Sequence, residues 1–382
     1  MEFLFPVIES EVKRVKRFDN EDARLIGFQK GAYSNVKHSN SVRKLIYLAT
    51  TFFGEWNPKH YYFLHEQSTT FSEYPCPINN CYASKDPLDI PKADALLFHV
   101  RDIEVFSIPE YRAPHQVWIL YSMEPPWLEV IDMQRFNGMF NWTMSYRKGS
   151  DIPLTYGFIG KKPHNSLKLT KPLTSSDLKG KQNKAVWYVS NCRTDSNREE
   201  YVKRLQKVYP VDVVGGCGLE GCRPAETRKC YTKIARNYKF YLAFENAICP
   251  SYVTEKLFNS LEYNIIPVTF GGANYTRLVP ENSIVNAMEF QSPEELGQYL
   301  WEISLNDTRY LSHFNWKDAF RSYLQPWMCD LCAKLHDAVI PRANNDLVNW
   351  WHEDFSCLRW SEDKFETIKN YAFPTYHSKT FA

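Results

Sequence analysis

The sequence predicts an α/β protein of two domains, and three observations carry that reading. The second half alternates short apolar strands with helices of about ten residues, the signature of a parallel sheet covered on both faces. At 382 residues the chain is long for one domain, against a prior of roughly 150 residues each. Between the halves, residues 161–184 (KKPHNSLKLTKPLTSSDLKGKQNK) are polar, basic and without period, as an inter-domain linker is.

The elements follow in order. Residues 1–40 are charged and irregular, with Lys13, Arg14, Lys16 and Arg17 clustered, and read as a solvated stem. Leu45–Thr51 is the first apolar strand, and Ala95–Val100 and Gln116–Tyr121 are two more, separated by Pro-rich and aromatic loops. Past the linker, Ala185–Ser190 (AVWYVS) is a strand, and Arg198–Val208 a helix with Tyr201, Leu205 and Val208 at helical spacing. Val211–Val214 and Lys239–Phe244 are strands, and Thr254–Tyr263 is a helix with Leu257, Phe258 and Leu261 on one face. Ile265–Phe270, closed by Gly271-Gly272, is the last predicted strand, and Pro293–Ile303 the last predicted helix.

Composition excludes several classes. A net charge of +2 supplies no field for nucleic acid or an acidic membrane. An aromatic content of 15% within 44% hydrophobic residues offsets the ordering entropy that keeps polar chains unfolded. No stretch reaches the ~18 apolar residues of a membrane span, and Met1–Ile8 lacks the basic region and longer core of a signal peptide. The cysteines number ten, and three sequons occur, at Asn141, Asn274 and Asn306; together they favour a secretory lumen. Cys329-Asp-Leu-Cys332 reads as a disulfide-stapled loop: a zinc site would need a second such pair, and no βαβ start surrounds it for redox work. Gly216-Cys217-Gly218-Leu219-Glu220-Gly221 matches a dinucleotide fingerprint but runs into Cys222-Arg223-Pro224, not a helix, and reads as a disulfide-tied loop.

Chemistry concentrates between Tyr238 and Gly272. A buried strand ends at Phe244 and releases Glu245 and Asn246 at its carboxyl end, where open α/β sheets bind ligands. Thr254-Glu255-Lys256 then opens a helix, placing free N–H groups and a lysine beside two carboxylates, a combination suited to a nucleotide diphosphate. Ordinary capping by Thr254 is the alternative. Ser196-Asn197-Arg198 opens another helix, its arginine aimed at the same sheet edge and able to grip phosphate. In the first half, Tyr121-Ser122-Met123-Glu124-Pro125-Pro126 leaves a lone carboxylate at a strand end among aromatics, a candidate general base or else a solvated turn residue. No DxD triplet is present, so phosphate charge falls to Lys, Arg and a helix end rather than to a metal held by paired carboxylates.

These residues resemble the α1,3-fucosyltransferase family. Phe244-Glu245-Asn246, Tyr252-Val253-Thr254-Glu255-Lys256-Leu257 and Pro267-Val268 look like its donor motif. Tyr121-Ser122-Met123-Glu124-Pro125, Thr143-Met144-Ser145-Tyr146-Arg147, Val189-Ser190-Asn191-Cys192 and Asn197-Arg198 fall in family order. The resemblance implies a GT-B-like fold, two Rossmann-like domains whose parallel sheets face a cleft. It implies an inverting transfer of L-fucose from GDP-β-L-fucose to O3 of an N-acetylglucosamine (GlcNAc) on a glycoprotein N-glycan. By the same analogy Glu124 is the base and Glu255 helps stabilise an oxocarbenium-like state. Arg198 and Lys256 hold the pyrophosphate, and Asn246, Glu245, Tyr252 and Thr254 complete the donor site. Residues 41–165 would bind the acceptor and 166–335 the donor, with 336–382 packing back. No cofactor is required; some family members respond to Mn²⁺, so stimulation by that ion stays open. A Golgi-lumenal type II enzyme is implied, its anchor not visible in this chain. The cysteine pattern looks like the invertebrate core-type enzymes, which favours the core GlcNAc; an antennal lactosamine-type GlcNAc and a catalytically silent sugar-nucleotide-binding protein are the alternatives. Pro125 and Ser251 depart from the family pattern, which puts acceptor contacts and loop shape in doubt.

Overall fold

The structure, a computed structural model, describes residues 42–54, 78, 80–104, 106, 108–128, 131–162, 173–221, 227–323, 327–337, 346–352 and 356–368. The stem 1–40 and the aromatic residues Trp56, Tyr61, Tyr62 and Phe63 lie outside them.

Branched and aromatic side chains build the first sheet from β1 (Lys44–Leu48), β2 (Cys81–Ser84), β3 (Ala95–His99), β4 (Val117–Ser122), β5 (Trp142–Ser145) and β6 (Ile152–Pro153), all parallel in the order β2-β1-β3-β4-β5-β6. Period-two alternation sends Ile46, Leu97, Ile119 and Met144 to one face, and Leu45, Leu96, Phe98, Trp118 and Leu120 to the other. A strand such as β3, buried at every position, requires cover on both sides.

After β7 (Phe158–Lys161) the second sheet begins. It comprises β8 (Gln182–Tyr188), α1 (Arg198–Leu205), β9 (Val211–Val214), α2 (Thr227–Asn237), β10 (Tyr238–Phe244), α3 (Glu255–Leu261), β11 (Ile266–Phe270) and β12 (Val285–Asn286), in the parallel strand order β12-β11-β10-β8-β9. Next come α4 (Pro293–Ser304), α5 (Asp307–Ser312) and β13 (Phe320–Tyr323), which pairs antiparallel with β7. The chain then returns to the first sheet. From α6 (Trp327–Asp337) Met328, Leu331 and Leu335 join one face, and from α7 (Leu347–His352) Leu347 and Trp351 join the other. A final hairpin, β14 (Leu358–Ser361) and β15 (Lys364–Thr367), packs Trp360 and Phe365 on the second core.

Three expectations are corrected. Part of the predicted linker is ordered: Leu178 is buried in the second core and β8 starts at Gln182. The polar composition of this stretch is accommodated because the Lys181 ammonium donates to the carbonyls of Ala235, Tyr238 and Asn264, capping the ends of α2 and α3. Cys329 and Cys332 do not pair with each other. Both lie on α6, whose packing against the first sheet brings Cys332 to Cys81 of β2, and the two form a disulfide across 251 residues; Cys329 is disulfide-bonded as well. The sequon residue Asn141 is buried, because its side-chain oxygen accepts from Trp118 N (2.9 Å) and Arg112 Nη1 (3.1 Å), completing the sheet between β4 and β5. That amide is not presented as a glycan acceptor in the folded chain. Asn274 and Asn306 are exposed.

Candidate active site

The carboxyl end of β10 places Glu245 inside the protein, 1% exposed. A buried carboxylate needs partners, and the start of α3 supplies them. Thr254 N donates to Oε1 at 2.8 Å, Thr254 Oγ1 donates to Oε2 at 2.9 Å, and Lys256 Nζ lies 3.3 Å from Oε2. Lys256 Nζ also donates to Thr254 Oγ1 (2.8 Å) and pairs with the half-exposed Glu255 at 3.3 Å. Burial alone would pull the lysine down; Glu245 and Glu255 outweigh it and hold its pKa above the ordinary value. The result is a fixed ammonium at a helix start. Thr254 is indeed the cap, accepting from Lys256 N, but its hydroxyl is also the hub that ties cap, carboxylate and lysine together.

Backbone constraints hold this edge in place. Gly271, at the end of β11, has no room for a Cβ: it would sit 2.6 Å from Tyr275 Oη and 3.2 Å from Glu245 Cγ. Ser196 Oγ donates to Glu245 O (2.9 Å), and Ser196 N donates to Asn246 O (3.2 Å), lacing the loop before α1 to the same edge. Arg198 is brought there as the sequence predicts, but buried. Its guanidinium donates to Phe244 O (2.5 Å) and Asn191 O (3.1 Å) and lies over the Trp187 ring. Burial lowers its pKa, with Glu199 and Glu245 opposing. Asn197 takes the N-cap position in left-handed backbone (φ 57°), and its side chain donates to Trp360 O instead of capping. The Asn246 Oδ1 is buried with no hydrogen-bond partner among the described residues, an acceptor left open at the sheet edge.

The opposite lobe contributes Glu124, just past β4, its N–H bonded to Ser122 Oγ at 3.1 Å. Tyr252, on the loop between β10 and α3, crosses the cleft: its hydroxyl donates to Glu124 Oε2 at 3.2 Å. Tyr156 donates to Met123 O at 3.2 Å, and the Tyr146 ring lies 5.2 Å from that of Tyr252. Tyr252 thus joins the base candidate to the loop that leads into the ammonium cluster, at the carboxyl edges of the two sheets. Such an arrangement can accept a proton on one side and neutralise a departing anion on the other.

Sequence reasoning passed over several residues near this site. Tyr146 stood in a family-order motif without a role, Tyr156 carries no motif of its own, and only the fold brings them to Glu124. His99 ends β3, fully buried, with Nδ1 3.0 Å from Asp102 Oδ2 and its ring against Phe52 (4.6 Å) and Tyr121 (5.4 Å). A histidine and an aspartate three apart at a strand end were the available signal. Phe52 packs on the first core, whereas Phe53 is 44% exposed with φ 52°. Cys192–Cys217 closes the glycine-rich stretch as a disulfide-tied loop. Among the described residues, Cys81, Cys332 and His336 are the one group with metal-ligand proximity, but both sulfurs are spent in a disulfide.

Comparison with known proteins identifies the family and the fold. The profile "Fucosyltransferase, N-terminal" matches residues 42–157, and "Glycosyltransferase family 10 (fucosyltransferase) C-term" matches residues 178–350. An alpha-(1,3)-fucosyltransferase C of Drosophila melanogaster is 35% identical over 333 residues, covering 81% of this chain and 77% of that protein. A glycoprotein 3-alpha-L-fucosyltransferase A of the same organism is 30% identical, covering 88% of this chain and 66% of its own length. A human 4-galactosyl-N-acetylglucosaminide 3-alpha-L-fucosyltransferase is 35% identical, covering 71% and 72%. A crystal structure of an alpha1,3-fucosyltransferase with GDP-fucose superposes with a TM-score of 0.53 at 15% identity, over 81% of this chain and 95% of that one, which establishes a shared GT-B-like fold. With two parallel sheets, the Glu245–Thr254–Lys256 cluster at the edge of the second and both family profiles matched in order, the chain belongs to glycosyltransferase family 10, the fucosyltransferases.

Proposed function

We propose that this enzyme transfers L-fucose from GDP-β-L-fucose in α1,3 linkage to a GlcNAc of a glycoprotein N-glycan, with inversion at the anomeric carbon. The observation that carries this reading is the Glu124 carboxylate meeting Tyr252 across the cleft, beside the Glu245–Thr254–Lys256 cluster. Glu124 takes the proton of the acceptor O3 as that oxygen attacks. Lys256 and Arg198 stabilise the departing diphosphate from the far side, so attack and departure are in line. Glu255, exposed at the start of α3, faces the charge that develops on the sugar. Asn246 offers its open Oδ1 to a donor hydroxyl or N–H, and Tyr252 and Thr254 line the same pocket. Glu245 serves through Lys256, which it holds in place.

Residues 41–165 take the acceptor role and 166–335 the donor role in this reading, with 336–382 as the closing segment. The core GlcNAc is favoured, supported by the cysteine pattern and by the glycoprotein-acting Drosophila relative. Transfer to an antennal GlcNAc is the second reading, favoured by the identity to the human galactosyl-GlcNAc enzyme. A Golgi-lumenal setting is supported by oxidation: every described cysteine is in a disulfide. No helix among the described residues is long and apolar enough to cross a membrane. Asn274 and Asn306 are the candidate glycan carriers.

The test is Glu124→Ala with defined N-glycan acceptors, linkage analysis of the product, and parallel assays with EDTA and with Mn²⁺. Turnover should be abolished while GDP affinity stays within about threefold. Turnover surviving within about tenfold, ~1.4 kcal/mol of barrier, removes Glu124 as the base.

A further inference from the structure

Glu124 and Tyr252 stand 128 residues apart on opposite lobes, yet their side chains meet at 3.2 Å. The loop that delivers the tyrosine is held from several directions. Ser251 is forced into left-handed backbone (φ 61°), and Tyr252 N donates to Cys249 O at 3.2 Å. Cys249 is bonded to Cys357, and Leu358 N donates to Ile248 O at 2.8 Å, so the C-terminal hairpin is stapled to this loop. Gly272 packs so closely beneath that a Cβ would lie 2.6 Å from Cys249 O. A non-glycine residue held at positive φ marks a place where the surroundings over-determine the backbone. What this loop presents is one tyrosine, 1% exposed, with its hydroxyl aimed at the base. A second tyrosine, Tyr156, grips the carbonyl of Met123 just before Glu124.

We propose that Tyr252 is the positioning residue of the base: its hydroxyl, delivered from the donor lobe, orients the Glu124 carboxylate and keeps it ionised. This deepens the reading of Glu124 as base and rests on it. A phenol donating to a carboxylate favours the charged form, so the base stays ready to accept a proton. Burial, reinforced by Tyr156 and by the negative charge of Glu124, holds the Tyr252 pKa well above its ordinary value, and the hydroxyl remains a donor throughout the working range. The titratable groups facing the pair are Tyr121, Tyr146 and Tyr156 on the acceptor side, with Arg147 behind Tyr146, and Glu245, Glu255 and Arg198 on the donor side. Because donor and acceptor of this hydrogen bond belong to different lobes, the base is complete only when the lobes are apposed.

The experiment is the pH dependence of kcat in the full chain for wild type and Tyr252→Phe, at saturating donor so that any loss of donor affinity at this residue does not enter kcat. The acid limb should move up by about one pH unit, a tenfold change in proton affinity, so that kcat measured below both limbs is lower by about tenfold. Placing 3-fluorotyrosine at position 252, nearly isosteric and a stronger donor, should move the limb down, which keeps the test available if the phenylalanine variant does not fold. In a Glu124→Gln background, Tyr252→Phe should cause no further loss, since the two act as a unit. An acid limb that stays in place, or losses that multiply across the two backgrounds, overturns the role of Tyr252. If Glu124→Gln itself keeps turnover within about tenfold of wild type, the base reading fails instead, and the inference with it.

Discussion

Thr254 is the residue on which the carboxyl edge of the second sheet turns, because one hydroxyl serves helix cap, carboxylate and ammonium at once. The ion pair it links is buried on the carboxylate side and partly exposed on the lysine side, at 1% and 22%. Removing one partner of such a pair leaves an uncompensated charge, at a cost of roughly 3–5 kcal/mol when burial is complete. Lys256→Ala should therefore do two things: lower the thermal unfolding midpoint and weaken GDP binding by tenfold or more. Adding Glu245→Gln removes the stranded carboxylate. The double variant should regain most of the midpoint and none of the GDP affinity, read by differential scanning calorimetry and by titration calorimetry. Recovery of both properties would show that Lys256 acts only as a structural counter-ion.

At the scale of elements, the two lobes are joined by helices that cross back, not by contacts at the cleft alone. The helix α6 is pinned to the first sheet by Cys81–Cys332, which closes a loop of 251 residues, and by Met328, Leu331 and Leu335 in that sheet's core. Cross-links of long loops restrict the unfolded chain most, with native examples contributing about 2–5 kcal/mol. Cys81→Ser with Cys332→Ser should lower the urea midpoint accordingly while GDP binding at low temperature persists, since the Glu245–Thr254–Lys256 cluster proposed to hold GDP belongs to the other sheet. Loss of GDP binding in a still-folded variant would contradict this separation. The hairpin β14–β15 is fixed to the second lobe in a different way. Arg204 pairs with Glu294 (2.5 Å) and Asp363 (2.9 Å) and lies over Trp360, so α1, α4 and the hairpin turn share one cation.

For the whole molecule, inward-turned lysines close several helices of the second lobe. Lys181 takes carbonyls at the ends of α2 and α3, Lys239 takes Ser304 O at the end of α4, and Lys317 takes Tyr263 O beyond α3. Burial, with Lys162 nearby, pushes Lys317 down to about 7, and burial with Lys239 nearby pushes Lys181 down to about 8. A lysine whose folded pKa is depressed binds fewer protons folded than unfolded across the window between the two values. Stability must then rise with pH from about 7 toward the ordinary lysine range. Above about pH 10 the buried tyrosines Tyr201, Tyr209 and Tyr310, whose pKa values burial raises, reverse the trend, because the unfolded chain then loses protons that the folded one keeps. Between pH 7 and 9.5 the wild-type unfolding midpoint should climb, and Lys317→Met should flatten that climb. An unchanged slope in the variant would mean that Lys317 is not the group responsible.

The sequence by itself determined the α/β class, the strands on which Glu124 and Glu245 end, and the Thr254–Lys256 helix start, because each is a local matter of period, breaker and cap. The Glu245–Thr254–Lys256 grouping was legible for the same reason: its residues lie within one strand end, one loop and the first turn of one helix. Strands too short to show a period, such as the two-residue β6 and β12, were not legible. Tertiary structure alone decided the rest. It turned Cys332 toward Cys81, buried the Asn141 amide in the first sheet, and withdrew Arg198 onto the carbonyl of Phe244. It also set the hydroxyl of Tyr252 against Glu124. These pairings join residues far apart in the chain, so no window of sequence contains both partners; only the packing of two sheets with their carboxyl edges face to face selects them.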